Sequence, residues 1–181
     1  MSRIVPNILT LEQHIHAINT DPHRYRPPCC PHCGYAVLWG HGSYTRKPDR
    51  GLNSGGSLNP VAIPRFICSH TDCGKSCSRL PECIAPRRWY LWIVQQQLLL
   101  GLLGGHSLHD LARQYAPARS TLRRWRQWLM ECFSQFHLRL VGVFPSCTHD
   151  GNWGSYWGRC LSKEKLSHLM AALDRYGICV P

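Results

Sequence analysis

Two pairs of cysteines have the spacing of metal ligands. Cys30 and Cys33 form a C-x2-C pair. Cys68 and Cys73 form a C-x4-C pair, and a glycine directly follows each pair. Such a glycine lets the backbone turn so that amide N–H groups point at the thiolates. Four thiolates around one ion leave no open position for catalysis, so the spacing predicts one structural Zn²⁺ per chain, held in a zinc-ribbon pattern.

Several other residues are weaker candidates for ligands to this ion. His70 lies inside the second pair and is the main alternative to one of its cysteines. Cys29 is adjacent to a predicted ligand and is predicted not to bind. Cys77 and Cys83 have no matching ligand spacing, and we interpret them as small buried residues.

A second metal site is not predicted. Cys147, His149 and Cys160 are of residue types that bind metals, but they do not form two pairs at ligand spacing. We interpret them as free residues. His14 and His16 lie on a predicted helix, where we expect them at the surface.

The stretch over residues 107–129 carries a different chemistry. Leu122, Trp125 and Leu129 recur at helical spacing, which predicts one buried face. The opposite face is cationic and hydrogen-bonding, as a helix in the major groove of DNA must be. Arginine suits bidentate contacts to guanine and phosphate. The predicted DNA-contacting residues are Arg119, Ser120, Thr121, Arg123, Arg124, Arg126 and Gln127.

A shorter helix precedes this one. Ser107 is predicted to cap it, and residues 108–115 place apolar side chains on one face. The turn between the helices contains Ala116 and Pro117, and a residue before proline avoids the helical region. The alternative interpretation is a basic helical hairpin whose arginines are only solvated.

Charge supports contact with nucleic acid. The 181-residue chain has a formal net charge of +11 and a pI near 9.4. Residues 84–140 hold eight Arg and Lys side chains against two acids, and residues 29–83 hold six against three. Positive charge is thus concentrated on the two segments assigned to nucleic-acid binding, as attraction to phosphate requires.

The same composition argues against an enzyme and against a membrane protein. Nuclease cores that work with two metal ions use several carboxylates to hold them, and the ten acids of this chain are scattered. The N-terminus lacks the apolar run of a signal peptide, and the apolar stretch over 89–103 is too short to span a bilayer. We therefore expect a cytoplasmic protein with no catalytic site.

The remaining elements follow from periodicity and turn signals. A capping box at Thr10 to Gln13 predicts a helix to Asn19 with Leu11, Ile15 and Ile18 inward, and an extended linker follows over 21–28. The predicted strands are a hairpin of residues 36–39 and 43–47 turning at His41-Gly42, a strand over 61–67 and a last strand over 76–80. The proline in the strand over 61–67 indicates an edge position or a strand end. A Gly/Ser/Asn-rich loop over 49–59 connects the predicted hairpin to the strand over 61–67. A basic-aromatic face, or simply a solvated one, is expected from Tyr44, Arg46, Lys47 and Arg65.

The C-terminal half is predicted to be helical. A long helix spans 87–103, with Ile93 among its inward residues, and the second helix of the hairpin continues to Leu140. Residues 142–158 are predicted to be irregular, before a final helix that Ser162 caps. The fold class is α+β, mostly α: a small antiparallel zinc ribbon, a three-helix unit and a C-terminal helix. The predicted units are 1–28 (helix and linker), 29–83 (zinc ribbon), 84–140 (helix-turn-helix) and 141–181 (tail).

The order of these motifs resembles a known family. CPHCG, HGSYTR, an RFxC strand with the second knuckle, and then helices are similar to the zinc-ribbon plus helix-turn-helix part of insertion-sequence transposases and their small accessory proteins. The resemblance covers residues 29–130. It implies sequence-specific binding of double-stranded DNA in a bacterial, nucleoid-associated setting, with a transposase or a second copy of the chain as a protein partner.

The predicted function is that of a DNA-binding accessory or regulatory protein of a mobile element without a catalytic core. The alternatives are a zinc-ribbon module for protein–protein interaction and a transcriptional regulator. Salt-dependent DNA affinity separates DNA binding from protein interaction, because release of counterions from phosphate produces that dependence.

Overall fold

The structure is a computed structural model that describes residues 3–48, 58–86, 90–148 and 151–178. Most of the predicted loop over 49–59, the start of the predicted helix over 87–103 and His149 lie outside these ranges. The described strands are β1 (Ile4–Val5), β2 (Leu38–Arg46), β3 (Val61–Cys68), β4 (Ser76–Cys77) and β5 (Leu80–Pro81). The described α-helices are α1 (Leu11–Thr20), α2 (Trp92–Leu103), α3 (Leu108–Gln114), α4 (Arg119–Glu131), α5 (Phe133–Leu140), α6 (Trp153–Lys163) and α7 (Leu166–Arg175). The α+β class is as predicted.

Helix α1 begins at the predicted capping box. The Thr10 hydroxyl accepts from the Gln13 N–H, and the Gln13 side chain accepts from the Thr10 N–H. The inward face was partly misassigned, because Ile15 is exposed whereas His14 is fully buried. The prediction that His14 lies at the surface is wrong: its imidazole fills the space between Tyr25 and the backbone of β3.

Strand β2 is continuous where the sequence predicted a hairpin. Both of its halves pair antiparallel with β3, from Leu38 opposite Cys68 to Arg46 opposite Val61. The register shifts between Gly40 and Ser43, so the glycine-containing segment forms an irregularity in one strand. Because both halves have the same partner, the predicted turn at His41-Gly42 does not exist.

Strand β3 is central, although its proline indicated an edge position or a strand end. The sheet order is β2-β3-β4. Pro64 lies opposite Ser43, beside the register shift, and β4 pairs only with Phe66 and Ile67. Pro64 has no backbone N–H to donate, and it lies at a position of β3 with which β4 does not pair. Of the predicted last strand, only residues 76–77 join this sheet, whereas β5 pairs parallel with β1.

The first helix of the hairpin starts where the sequence predicted, but the second ends earlier. Ser107 caps α3 by accepting from the Asp110 N–H. Leu122, Trp125 and Leu129 are fully buried on one face of α4. Helix α4 does not continue to Leu140 as predicted, because Cys132 interrupts it with ψ near zero before α5 begins.

Two helices, and not one, follow α5. Helix α6 starts inside the stretch predicted to be irregular, where the Asn152 side chain accepts from the Ser155 N–H. Ser162 lies within α6 and does not cap α7. Both helices contribute fully buried side chains to the same core as α2 and α4, including Trp157 and Leu169. In α2, the predicted inward residue Ile93 is exposed.

The N-terminal segment makes hydrogen bonds with two distant parts of the chain, residue Glu82 and helix α7. We call residues 29–83 the ribbon module and residues 90–178 the helical module. The Asp174 carboxylate of α7 accepts from the N–H groups of Arg3 and Ile4 at 2.6 and 2.9 Å. Buried Glu82 accepts from the Asn7 N–H at 3.0 Å and lies 3.2 Å from His168 of α7. The N-terminal segment thus contacts both modules. Residues 21–28, predicted to be an extended linker, contain a 3-10 helix over Pro22–Tyr25, in which Tyr25 is fully buried.

Candidate metal centre and candidate nucleic-acid interface

The structure brings the four predicted ligands together. Cys30 and Cys33 precede β2, whereas Cys68 and Cys73 lie at the end of β3 and just after it. The Cys30 and Cys73 sulfurs are 3.7 Å apart, and those of Cys33 and Cys68 are 3.5 Å apart. All four sulfurs lie within 4.8 Å of one another, so this cluster could hold a metal ion. A tetrahedron with metal–sulfur bonds of about 2.3 Å separates its sulfurs by about 3.8 Å, and the cluster fits that size.

Two glycines produce the turns that gather the thiols. Gly34 has φ +78° and its N–H donates to the Cys30 carbonyl at 2.9 Å. Gly74 has φ +52° and donates to the His70 carbonyl at 3.2 Å. A side chain at either position would be strained, because L-residues avoid positive φ. Both glycines thus form tight turns, although their own N–H groups donate to carbonyls and not to the thiols.

Cys30 and Cys68 differ in electrostatics. Desolvation opposes ionisation of Cys30, but hydrogen bonds from the His32 and Cys33 N–H groups and from the Cys33 and Cys68 thiols together outweigh it and lower the pKa of Cys30 to about 7. Desolvation raises the pKa of Cys68 to about 12. A bound divalent cation would hold all four sulfurs as thiolates and release the remaining protons, since only the thiolate is a good ligand.

The weaker ligand candidates lie outside the cluster. The His70 ring accepts from the Asp72 N–H and meets Tyr35 edge-on, with centroids 5.2 Å apart. Cys83 is buried in a separate apolar cluster, where desolvation raises its pKa to about 12. Cys77 is half-buried, and burial raises its pKa as well.

Two further thiols meet inside the helical module. Cys147 and Cys160 are fully buried, and a hydrogen bond from Cys160 lowers the pKa of Cys147. Burial raises the pKa of the neighbouring Tyr156 hydroxyl. Among the described residues no third ligand joins this pair in a metal-binding group. The sequence did not predict their contact, because it depends on how α6 folds back on the segment before it.

The face of α4 opposite its buried leucines is open to solvent. Of the seven predicted DNA-contacting residues, Thr121 is half-buried and the others are exposed. Several of the seven already contact other side chains. The Arg126 guanidinium lies over the Trp153 ring of α6 at 5.8 Å, Gln127 donates to Glu131, and Arg124 donates to Thr121.

The two ends of α4 have different surroundings. Toward its C-terminus, the Trp157 indole of α6 donates to the Leu129 carbonyl at 3.0 Å on the buried face, while Arg126 and Gln127 stay exposed. Toward its N-terminus, Ala118, Arg119, Ser120 and Arg123 line a shallow depression of about 410 Å³. No side chain caps the first turn. The polar face is therefore exposed along its length, and the N-terminal half adds an uncapped first turn and a depression.

Three members of the predicted basic-aromatic face share one side of the sheet. Tyr44 and Arg46 lie opposite buried Ile63 and Val61. Arg65 lies two residues after Ile63 on β3, so strand alternation places it on the same side, where its guanidinium donates to Ser76. Sequence reasoning missed Trp39, which pairs with Ile67 on this same side, called the outer side below, with 62% of its surface exposed. Its alternation with buried Leu38 was the signal that could have shown it.

None of the described helices is long and apolar enough to pass through a lipid bilayer. Comparisons with curated proteins and with solved structures gave no significant match. A family described as "Domain of unknown function (DUF6431)" matches residues 30–125, from the first ligand candidate to the middle of α4. This match covers more than half of the chain and includes both cysteine pairs, so the protein belongs to the DUF6431 family.

Proposed function

We propose that this protein binds double-stranded DNA through the N-terminal half of α4, and that the ribbon module contains one structural Zn²⁺. The observation that carries the proposal is the division of α4 into two faces. Leu122, Trp125 and Leu129 are fully buried, whereas the arginine-rich face is exposed. No acidic residue lies between Asp110 and Glu131 to repel phosphate.

The N-terminal end of α4 is suited to contacting base edges in DNA. Recognition helices contact base edges mainly with their N-terminal residues. Arg119, Ser120 and Arg123 line the open depression there. The uncapped N–H groups of the first turn add donors for a phosphate, and the helix dipole favours an anion at this end.

The later residues are assigned to the backbone of the DNA. Arg126 lies about two turns further along α4 than Arg119, and its stacking on Trp153 orients it beside the C-terminal half of the helix. A guanidinium fixed in this way makes a charge contact with phosphate without reading sequence. Gln127, Arg124 and Thr121 extend the same polar face.

Zinc is the metal we propose for the thiolate cluster. A tetrahedral set of four sulfurs suits zinc or iron, and the ribbon supplies no open position for a reacting ligand. Zinc provides charge and geometry to organise the fold without redox chemistry. The purified protein should therefore be colourless with zinc, whereas iron bound by four thiolates would absorb visible light.

The biological role we propose is that of an accessory or regulatory DNA-binding protein of a mobile element. The support is the order of the ribbon and hairpin motifs, which resembles the DNA-recognition part of insertion-sequence transposases. A transposase or a second copy of the chain is the protein partner that this role implies.

The test compares two arginines of α4 on DNA selected from a random pool by the zinc-loaded protein. Arg119→Ala should weaken binding to the selected site by about 1–3 kcal/mol and relax its sequence preference, because it removes a base contact. Arg126→Ala should weaken all sequences alike and lower the slope of log K against log salt by about one. Binding isotherms at two salt concentrations measure both effects.

Lys163→Ala is the charge-matched control. This lysine is exposed in the last turn of α6, away from the depression on α4, and its loss removes one positive charge. It should leave affinity and sequence preference nearly unchanged. If Arg119→Ala and Arg126→Ala both remain folded by circular dichroism and bind DNA like the unmodified protein, α4 does not read DNA and an interaction with protein becomes the better interpretation.

A further inference from the structure

The outer side of the ribbon sheet exposes an apolar stripe. Trp39 is the most exposed Trp, Tyr or Phe of the described residues, at 62%. Val37 is 46% exposed and Tyr35 is 43% exposed, whereas Leu38, which follows Val37, is buried. The Val37 carbonyl accepts from the Ser69 N–H, so the β2–β3 ladder extends to this residue and Val37 shares a side with Trp39. We call Tyr35, Val37 and Trp39 the ribbon stripe.

A cation lies on the same side of the sheet as the ribbon stripe. Trp39 pairs with Ile67, and Ile67 pairs with Ser76, so these three residues share the outer side. Arg65, two residues before Ile67, shares this side, and its guanidinium donates to the Ser76 hydroxyl at 2.8 Å. The hydroxyl holds the guanidinium in place without neutralising its charge. Lys75 belongs to the opposite side, because its carbonyl accepts from the Cys68 N–H and the two residues are therefore paired.

The size of the ribbon stripe limits what it can bind. A stable protein interface covers about 800 Å² on each partner, which three side chains cannot supply. A nucleotide needs only one exposed aromatic ring for stacking and one cation for its phosphate. An indole with an arginine on the same side meets both needs. Six basic against three acidic side chains give the ribbon module +3, and four thiolates with one Zn²⁺ contribute −2, so the module stays positive and favours an anionic polymer.

We propose that the outer side of the ribbon binds single-stranded DNA, with a base stacked on Trp39 and a backbone phosphate at Arg65. Stacking requires an unpaired base, because the faces of paired bases are covered by their neighbours in a duplex. The choice of DNA over RNA rests on the proposed function of α4, since one chain would then hold duplex and unpaired segments of the same polymer. The two sites are on different modules and can be removed separately.

The experiment measures the anisotropy of a labelled 15-nucleotide oligothymidylate with the full-length, zinc-loaded protein. Trp39→Ala should weaken binding about tenfold or more, whereas Trp39→Phe retains an aromatic face and should stay within about threefold. Tyr176→Ala, which removes an exposed aromatic ring of the helical module, should have no effect. Affinity of Trp39→Ala for the selected duplex should equal that of the unmodified protein, and its metal content should stay at one equivalent.

Four outcomes would overturn the proposal. They are no binding of oligothymidylate by the unmodified protein, equal binding by Trp39→Ala, a parallel loss of duplex binding in Trp39→Ala, and a preference for oligouridylate over oligothymidylate. Failure of the duplex proposal alone has a different signature. In that case Arg119→Ala leaves duplex affinity unchanged while Trp39→Ala still loses the oligothymidylate.

Discussion

The ribbon module and the helical module are stabilised in different ways. The helical module has one large core in which Trp92, Trp125 and Trp157 are fully buried. The ribbon module contains a single tryptophan, Trp39, and that residue faces solvent. Two of the metal-ligand candidates, Cys30 and Cys68, are themselves part of the small apolar cluster beneath the sheet.

The difference shows how a short segment can be ordered without a large core. Small units bury too little apolar surface to offset their conformational entropy, and metal ions commonly supply the missing free energy. The helical module buries enough aromatic surface to need no ion. Perturbations directed at the metal and at the aromatic core should therefore separate the two modules.

Removal of the metal should have the largest effect. Cys73→Ser should lose the ion and unfold the ribbon module, because a structural zinc contributes about 10–16 kcal/mol of apparent binding free energy. The helical signal in circular dichroism should largely remain, while proteolysis should become rapid within residues 29–83. Metal analysis and limited proteolysis measure these effects.

Cys29→Ser is the matched control for this substitution. Cys29 is adjacent to Cys30 but lies outside the cluster, so one equivalent of metal should be retained. Full metal retention by Cys73→Ser would instead mean that another group, such as His70, completes the site.

Truncation of a buried tryptophan should have an intermediate effect on the other module. Trp157→Ala removes a fully buried ring that packs against Phe136 and donates to Leu129, and should cost about 3–5 kcal/mol. Trp39→Ala deletes the same side chain from an exposed site and should change stability by less than about 0.5 kcal/mol. Chemical denaturation followed by circular dichroism compares them. Equal destabilisation by the two variants would contradict the assignment of the aromatic core to the helical module.

A pH-dependent contribution from His14 should be the smallest of the three. Desolvation lowers the pKa of His14, so the folded protein binds fewer protons here than the unfolded chain, whose imidazole titrates near pH 6.5. The stability is fully present above that pH and is lost as pH falls toward the folded-state pKa. His14→Phe should reduce the dependence of Tm on pH between about 5 and 7.

The same substitution has an effect at neutral pH. His14 accepts from the Tyr25 hydroxyl and donates to the Ala62 carbonyl at 2.9 Å, and phenylalanine leaves both without a partner. We expect a loss of about 1–3 kcal/mol at neutral pH. His16→Phe, at an exposed position of the same helix, should retain the pH dependence. A steeper pH dependence in His14→Phe than in the unmodified protein would contradict a lowered pKa for this imidazole.

Patterns within short stretches of sequence predicted the elements whose formation depends mainly on residues close together in the chain. Cysteine spacing predicted which four thiols converge, and helical periodicity with a serine cap predicted α3 and α4. His14 was misplaced because its partner Ala62 is 48 residues away. The start of α6 was missed because Gly154 and Gly158 resemble loop residues, although the helix is stabilised by packing of Tyr156 and Trp157. Outcomes that depend on distant partners could not be read from local pattern.

The carboxylate of Asp174 has a consequence for synthesis of the chain on the ribosome. Its partners, the N–H groups of Arg3 and Ile4, are separated from it by 171 and 170 positions. At about 5–20 residues per second, the ribosome needs on the order of ten seconds or more to deliver Asp174 after Ile4 has emerged. During that interval α1 can form and the N-terminal strand can pair with β5. Its hydrogen bonds to α7 form only after the opposite end of the chain has arrived.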